Sequence, residues 1–218
     1  MVNWCDANNL ELNVSKTKEV VIDFRRTDQT CTPLVINGET VEQVESFKFL
    51  GTTISHDLKW NAHVLAAVKK ANQRLFFLRQ LNKFRVSEKI LMNFYRATIE
   101  SILTFSITVW FSSTTEEDKK LINKVMKQAS RVIGSQVPSL EEIFTSRTIK
   151  RCQKIMSDKS HPAYDLFQPL RSGQRLRAIQ VRTNRARTGF FPMAVKLLNE
   201  NKGLVKSILD KVATQSGS

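Results

Sequence analysis

The residues that could carry chemistry in this 218-residue sequence are few, and their spacing excludes most enzyme classes. The three histidines are His56, His63 and His161, and none has Asp or Glu two positions later. The sequence therefore lacks the His-x-Asp/Glu pair that supplies two of the three ligands in an iron site made of two histidines and one carboxylate. His56 and His63 are seven positions apart and could share a helix face, although two packed or solvated histidines are the simpler interpretation.

Glycine and cysteine spacing excludes further sites. No two of the seven glycines lie two residues apart, so the phosphate loop G-x-G-x-x-G cannot occur, and Gly-Lys-Ser/Thr is missing as well. The sequence has no Asp-Asp dipeptide and no Gly-x-Ser-x-Gly elbow. Cys5, Cys31 and Cys152 are too far apart for a zinc pair, and three scattered thiols are typical of a reduced protein inside a cell.

An arginine cluster is the most informative basic feature. It lies within residues 171–187, contains no acidic residue, and is followed by Phe190-Phe191-Pro192. Arginines this close repel one another unless a polyanion neutralises them, so we predict that the cluster contacts nucleic acid. The alternative is a solvated tail or loop. The arginine cluster consists of Arg171, Arg175, Arg177, Arg182, Arg185 and Arg187.

A second basic group, Lys69, Lys70 and Arg74, alternates with apolar residues at helical spacing. It is either the solvated side of an amphipathic helix or a set of phosphate contacts that position a duplex without reading bases.

The net charge supports a polyanionic partner. The chain has 34 Lys and Arg against 20 Asp and Glu, a formal charge of +14. Residues 1–50 carry five basic and eight acidic residues, or −3, so residues 51–218 carry +17. We expect RNA or an RNA/DNA duplex as partner. No apolar stretch is long enough to span a membrane and no signal peptide is recognisable, so we expect no membrane partner and an intracellular location, nucleus or cytoplasm.

The hydrophobic pattern predicts an α+β fold. A small antiparallel β segment occupies residues 1–60, a mainly α-helical bundle residues 61–134, and a helical, Arg-rich, basic region residues 135–218. In the first segment we predict a short helix near residues 4–10 and three β features. These are a strand over residues 20–24, a hairpin over 33–41 turning at Asn37-Gly38, and a strand over 44–54 broken at Gly51.

Four helices are predicted after Trp60, each from apolar residues at helical spacing or from a capping residue at its start. The third follows a cap at Thr114 or Thr115 and ends at Gly134, and the fourth opens with the capping-box spacing Ser139–Glu142. The first helix is predicted to bury Val64, Leu65, Val68, Ala71, Leu75 and Leu78. The second helix is predicted to begin after a cap at Ser87 and to bury Ile90, Leu91, Phe94, Ala97, Ile102 and Phe105. A further turn is expected over residues 163–167, and residues 216–218 are expected to fray.

Several segments, in order, resemble the C-terminal part of a reverse transcriptase from a non-LTR (LINE-type) retrotransposon. Residues 4–18 (WCDANNLELNVSKTK) resemble the segment after the family's catalytic Asp-Asp loop, and residues 47–54 (FKFLGTTI) resemble its primer grip. Residues 57–63 and 69–75 resemble the entry to the thumb. Residues 138–144, 160–162 and 190–194 resemble the family's C-terminal region.

This resemblance implies roles for four residues. Lys16 matches a lysine implicated in protonating the leaving pyrophosphate, and Phe49, Leu50 and Gly51 match the primer grip, where glycine lets backbone approach a primer phosphate. Taken alone, Lys16 could be a surface lysine at a strand edge, and Phe49 and Leu50 could be core residues.

The family's metal-binding aspartates have no counterpart in this sequence. Polymerisation by two metals needs convergent carboxylates, and Asp6 and Asp23 do not supply that spacing. We therefore expect a non-catalytic fragment (end of palm, thumb and basic region) with no catalytic residue, no metal and no cofactor, although the full-length family would need Mg²⁺.

Residues 51–81 also resemble the short N-terminal domain of AlkB-homologue enzymes of tRNA modification and alkylation repair. The dioxygenase and methyltransferase of those enzymes have no motif here. The alternatives to a nucleic-acid-binding remnant are an active enzyme, a basic helical interaction domain that self-associates, and a gene-model fragment without selected function.

Overall fold

The computed structural model describes residues 2–25, 31–201 and 203–215. It divides the chain into two compact units, Met1–Ala66 and Ala67–Ser218. Helices dominate and the strands are short, so the predicted α+β class is confirmed. The predicted fraying of residues 216–218 lies outside the described residues.

A helix, α1 (Val2–Ala7), and a 3₁₀ turn (Val14–Lys16) precede the strands of the first unit. The strands are β1 (Lys18–Glu19), β2 (Val35–Ile36), β3 (Glu39–Thr40), β4 (Glu42–Gln43), β5 (Ser46–Phe49) and β6 (Thr52–Ser55). They form three separate pairs: β1 with β4 is parallel, whereas β2 with β3 and β5 with β6 are antiparallel. The predicted antiparallel pairing is therefore confirmed for two pairs and wrong for the pair of β1 with β4.

Both hairpins turn through two residues with positive φ. Asn37 (φ 53°) and Gly38 (φ 83°) form the predicted turn between β2 and β3. The predicted break at Gly51 is a second such turn, because Leu50 (φ 45°) and Gly51 (φ 89°) connect β5 to β6. Positive φ at both central residues matches the right-handed twist of the flanking strands.

The strand predicted over residues 20–24 is absent, and this prediction is wrong. The parallel ladder ends where the Val44 N–H donates to the Glu19 carbonyl at 2.8 Å. Beyond it, residues 20–25 have no regular structure, and Ile22 and Phe24 are exposed. β-Branched residues favour a strand only when a neighbouring strand and a buried face are available, and residues 20–24 lack both.

The remaining helices start at Asn61 and account for most of the second unit. They are α2 (Asn61–Lys83), α3 (Glu88–Tyr95), α4 (Ser101–Leu103), α5 (Ile107–Trp110), α6 (Glu116–Ile133), α7 (Leu140–Ser157), α8 (Asn184–Arg187), α9 (Phe190–Glu200) and α10 (Leu204–Gln215). A π turn, Arg96–Glu100, joins α3 to α4, and a 3₁₀ turn, Phe111–Ser113, follows α5. The 3₁₀ turn after α7, Tyr164–Leu166, is the turn predicted over residues 163–167.

The predicted caps of α6 and α7 are confirmed. The Thr115 side chain accepts a hydrogen bond from the Asp118 N–H at 3.2 Å, and Gly134 ends α6 with φ 88°. At α7, the Ser139 N–H donates to Glu142 Oε2 at 2.7 Å while the Glu142 N–H donates to Ser139 Oγ at 3.2 Å. Such caps satisfy backbone donors that a helix end would otherwise leave without a partner.

The buried face predicted for the second helix is right at Leu91 and otherwise wrong by about one position. Leu91, Tyr95, Ile99 and Leu103 are buried, whereas Ile90, Ala97 and Phe105 are exposed. The buried residues are spaced four positions apart through the π turn. Because a π turn holds more residues per turn than an α-helix, residues at this spacing stay on one face. On α2 the predicted face is right except for Leu65, which is 49% exposed, and Val68, which is half-buried.

The C-terminal part of the second unit has its own core. α7 packs against α9 and α10, and the buried residues that they share include Cys152, Ile155, Leu198 and Ile208. Leu176, from the arginine-bearing segment, belongs to the same cluster at 1% exposure. The arginine cluster is therefore carried on a packed scaffold.

We predict that Leu75→Ala destabilises the protein by about 2–5 kcal/mol, because Leu75 is fully buried and its truncation leaves a cavity. Leu65→Ala, a matched control on the same helix, should change stability by only about 0.5 kcal/mol. Urea denaturation followed by circular dichroism measures both. Equal losses in the two variants would contradict the placement of the buried face.

Candidate nucleic-acid interface

Lys16 lies at the end of the 3₁₀ turn in the first unit and is exposed. The Asn13 side chain holds this turn by accepting a hydrogen bond from the Lys16 N–H at 3.0 Å. The ammonium group forms no ion pair with another described residue. The Lys16 side chain is therefore accessible to an anionic ligand in solution, and within the described part of the chain no ion pair indicates a structural role for it.

The predicted primer-grip residues form the tip of the β5–β6 hairpin. Phe49 is 55% exposed and Leu50 is 79% exposed, so the interpretation of these two residues as core is wrong. Leucine seldom adopts a positive φ, because its Cβ crowds the following carbonyl. The fold thus holds an apolar side chain outward at a strained position of the turn.

The basic residues of α2 are all exposed. Lys70 and Arg74 are four positions apart and therefore occupy neighbouring positions on one helix face. Arg79 points elsewhere, since its guanidinium donates to Gln128 Oε1 of α6 at 3.5 Å. Lys69, Lys70 and Arg74 remain available for phosphate contacts, and the interpretation as a solvated helix side also remains open.

The arginine cluster lies on a fixed segment and is not a tail. All six arginines are exposed, while Leu176 between them is buried. Asn199 of α9 holds Leu176 by its backbone: its Oδ1 accepts from the Leu176 N–H at 2.8 Å and its Nδ2 donates to the carbonyl at 3.0 Å. The Leu170 N–H donates to the Arg175 carbonyl at 2.8 Å across a turn through Gly173 (φ 66°). The guanidinium groups are thus presented on an ordered surface.

A basic cleft of about 1050 Å³ lies beside this cluster. Arg175, Arg187 and Lys196 line it together with apolar side chains. Sequence reasoning missed Lys196 and Asn199, because both lie on α9, which was not predicted and which places them beside the cluster.

An apolar groove of about 600 Å³ runs between α2 and the α3–α4 segment. Phe77, Phe84, Phe94 and Ile102 line it, and Arg74 stands at its edge. The groove contains much of the face that the sequence predicted to be buried, including Phe94 and Ala97.

His56 and His63 do not share a helix face. His56 precedes α2, whereas His63 is buried within it and accepts a hydrogen bond at Nδ1 from the Thr53 N–H at 3.4 Å. Within the described ranges, no three His, Cys, Asp or Glu residues are grouped so as to hold a metal ion. None of the described helices is both long and apolar enough to cross a membrane.

The three cysteines differ in exposure. Cys31 is exposed, whereas Cys5 and Cys152 are buried. Burial raises the pKa of the Cys152 thiol to about 12, which keeps it protonated and unreactive.

Comparison with known proteins gives a partial match. A family model described as alkylated DNA repair protein alkB homolog 8, N-terminal, matches residues 60–101. This segment contains α2, α3 and the π turn, about a fifth of the chain, and supports the resemblance predicted over residues 51–81 where the two overlap. No curated protein and no solved structure matches the chain. The resemblance to reverse transcriptases stays a prediction.

We predict that His63 makes stability depend on pH. Burial lowers the pKa of its imidazole below the ordinary value, so the unfolded chain binds a proton more readily than the folded protein. This contribution to stability is complete above the unfolded pKa of about 6.5 and is lost as the pH falls below it. The urea midpoint of His63→Gln should therefore fall less than that of wild type between about pH 7 and pH 5. His56→Gln controls for replacing an exposed histidine, and a wild-type pH slope in His63→Gln would contradict the prediction.

We also predict that Leu50→Asn stabilises the protein by roughly 1 kcal/mol, because asparagine tolerates positive φ far better than leucine. The other hairpin supplies the matched control, since Asn37→Leu should destabilise by a similar amount. Thermal and urea unfolding measure both changes. A loss of stability in Leu50→Asn would show that Leu50 contributes contacts that outweigh its backbone strain.

Proposed function

We propose that this protein binds RNA or an RNA/DNA duplex through the phosphate backbone and carries out no chemistry itself. The arginine cluster carries this proposal. Its six exposed guanidinium groups lie on a segment that Asn199 and Leu176 hold to α9, and no acidic residue lies among them. Arginine forms bidentate hydrogen bonds with phosphate, so such a surface suits a polyanion. Lys69, Lys70 and Arg74 of α2 would add contacts to the backbone.

We further infer kinship with the palm end, thumb and basic region of non-LTR reverse transcriptases. The exposed tip Phe49-Leu50-Gly51 supports this assignment, because a primer grip must present its backbone and side chains to a nucleic acid. Lys16 would lie among the same contacts. We propose no catalytic role for Lys16, since the sequence has no Asp-Asp pair that could hold Mg²⁺ beside it.

The family match over residues 60–101 favours a second candidate, an accessory domain of an alkylation-repair or nucleic-acid-modifying system. Its matched helices contain Lys69, Lys70 and Arg74. Both candidates have a nucleic acid as partner, and both place the protein inside the cell. They differ in chemistry, because only the second would work beside a dioxygenase or a methyltransferase.

The proposed self-association would depend on the apolar groove. Its exposed phenylalanines, Phe77 at 48% and Phe84 at 79%, form the kind of patch that marks interaction surfaces. A charge of +14 on each copy opposes this association at low salt.

We predict that the logarithm of the binding constant for an RNA/DNA duplex falls linearly with the logarithm of the salt concentration. The triple variant Arg171→Gln/Arg177→Gln/Arg182→Gln should reduce the magnitude of the slope by about 2–3, since each lost phosphate contact removes about 1. Fluorescence anisotropy from about 50 to 300 mM KCl measures the slope.

The matched control Lys120→Gln/Lys124→Gln/Lys127→Gln removes the same charge from exposed positions on α6 and should change the slope by less than about 1. Equal slopes in the two triple variants would assign binding to net charge alone. Absence of wild-type binding at about 50 mM salt would refute the proposed function. Primer-extension and 2-oxoglutarate assays on the same preparation should give no activity above Lys16→Ala.

A further inference from the structure

We propose that the basic cleft binds an unpaired nucleotide, so that the second unit prefers single-stranded over double-stranded nucleic acid at this site. The inference rests on the proposed function and adds a ligand class that the charge pattern alone does not define. Its basis is the combination of uncompensated arginines and apolar walls in one preformed cleft.

The cleft carries positive charge from three chain segments. Arg175 comes from the turn before Leu176, Arg187 from α8 and Lys196 from α9. Lys196 lies 3.8 Å from Glu200, also at the cleft, and is partly neutralised. Neither arginine forms an ion pair with another described residue. Two guanidinium groups at one cleft, neither of them ion-paired with a described residue, favour a phosphate group as ligand.

The walls between these charges are apolar. Ile179, Val181, Pro192 and Met193 line the cleft. In a duplex the bases are stacked and paired, so an outer protein surface meets chiefly backbone and groove edges. An unpaired nucleotide also exposes the face of its base, which can pack against apolar side chains. The apolar lining therefore adds affinity for a single strand and none for a duplex.

Hydrogen bonds hold the cleft open on both sides. Asn199 ties the Arg175-bearing segment to α9 through Leu176. On the other side, Ser112 Oγ donates to the Thr188 carbonyl at 2.5 Å, next to Arg187. The walls are thus set before a ligand arrives, which lowers the entropic cost of binding. The volume of about 1050 Å³ is at the upper end of the range for small-molecule sites and is large enough for a nucleotide.

The test compares single-stranded decamers of U and of dT with a blunt RNA/DNA duplex by fluorescence anisotropy. Arg175→Gln/Arg187→Gln should weaken single-strand binding at least about tenfold more than it weakens duplex binding. The matched control Arg171→Gln/Arg182→Gln removes the same charge from the same cluster outside the cleft. It should weaken both ligands to a similar, smaller extent.

A second variant leaves the charge unchanged. Met193→Gln makes the apolar side of the cleft polar at nearly constant side-chain length, and it should weaken single-strand binding by about threefold without affecting the duplex. Circular dichroism and thermal melting establish that each variant is folded, and either cleft variant alone suffices for the comparison.

The outcomes separate the two proposals. If the duplex binds but the cleft and control pairs behave alike, and Met193→Gln binds as wild type, the cleft proposal is overturned while the proposed function stands. Failure of the wild-type protein to bind either ligand overturns both.

Discussion

The side-chain amide of Asn199 forms two hydrogen bonds with the backbone of Leu176, and the basic surface of the second unit depends on them. Leu176 is buried in the cluster shared by α7, α9 and α10, so its N–H and carbonyl have no access to water. Leaving such groups without partners costs about 1–3 kcal/mol each. A single amide that donates and accepts removes this cost and lets an arginine-rich segment stay packed against a helix instead of extending into solvent.

Charge distribution divides the chain in the same way as its secondary structure. The β-rich residues 1–60 carry six basic and nine acidic residues, or −3, and the helical residues 61–218 carry +17. Clustered arginines repel one another, so their segment would be expected to unfold locally unless packing opposed the repulsion. The buried Leu176 and the capped helices supply that packing. The protein therefore maintains a surface of high positive potential on an ordered fold, which suits binding to a polyanion without a large ordering cost.

Features encoded locally could be predicted from the sequence. The Asn37-Gly38 turn, the Thr115 cap and the Ser139–Glu142 capping box each depend on residues within four positions of one another. The face of α3 and α4 could not be read in this way, because apolar residues lie on two sides and the neighbouring helices decide which side is buried. The missing strand over residues 20–24 has a similar cause, since strand formation requires a distant partner.

The candidate site shows the same limit. The arginine cluster is evident from composition, but Lys196 and Asn199 reach it only through the packing of α9. The groove and the cleft likewise form only where separate helices and turns pack together. The proposed type of partner is predicted from charge, whereas the proposed preference for a single strand depends on tertiary structure.

The unequal burial of the three cysteines has a practical consequence for measurements on this protein. Cys5 and Cys152 are shielded by packing, and the Cys152 thiol is held in its unreactive form, whereas Cys31 faces solvent. A maleimide dye applied to the native wild-type chain will react chiefly at one position in the first unit. A fluorophore placed there reports on the hairpin-bearing unit while every arginine of the cluster stays unmodified.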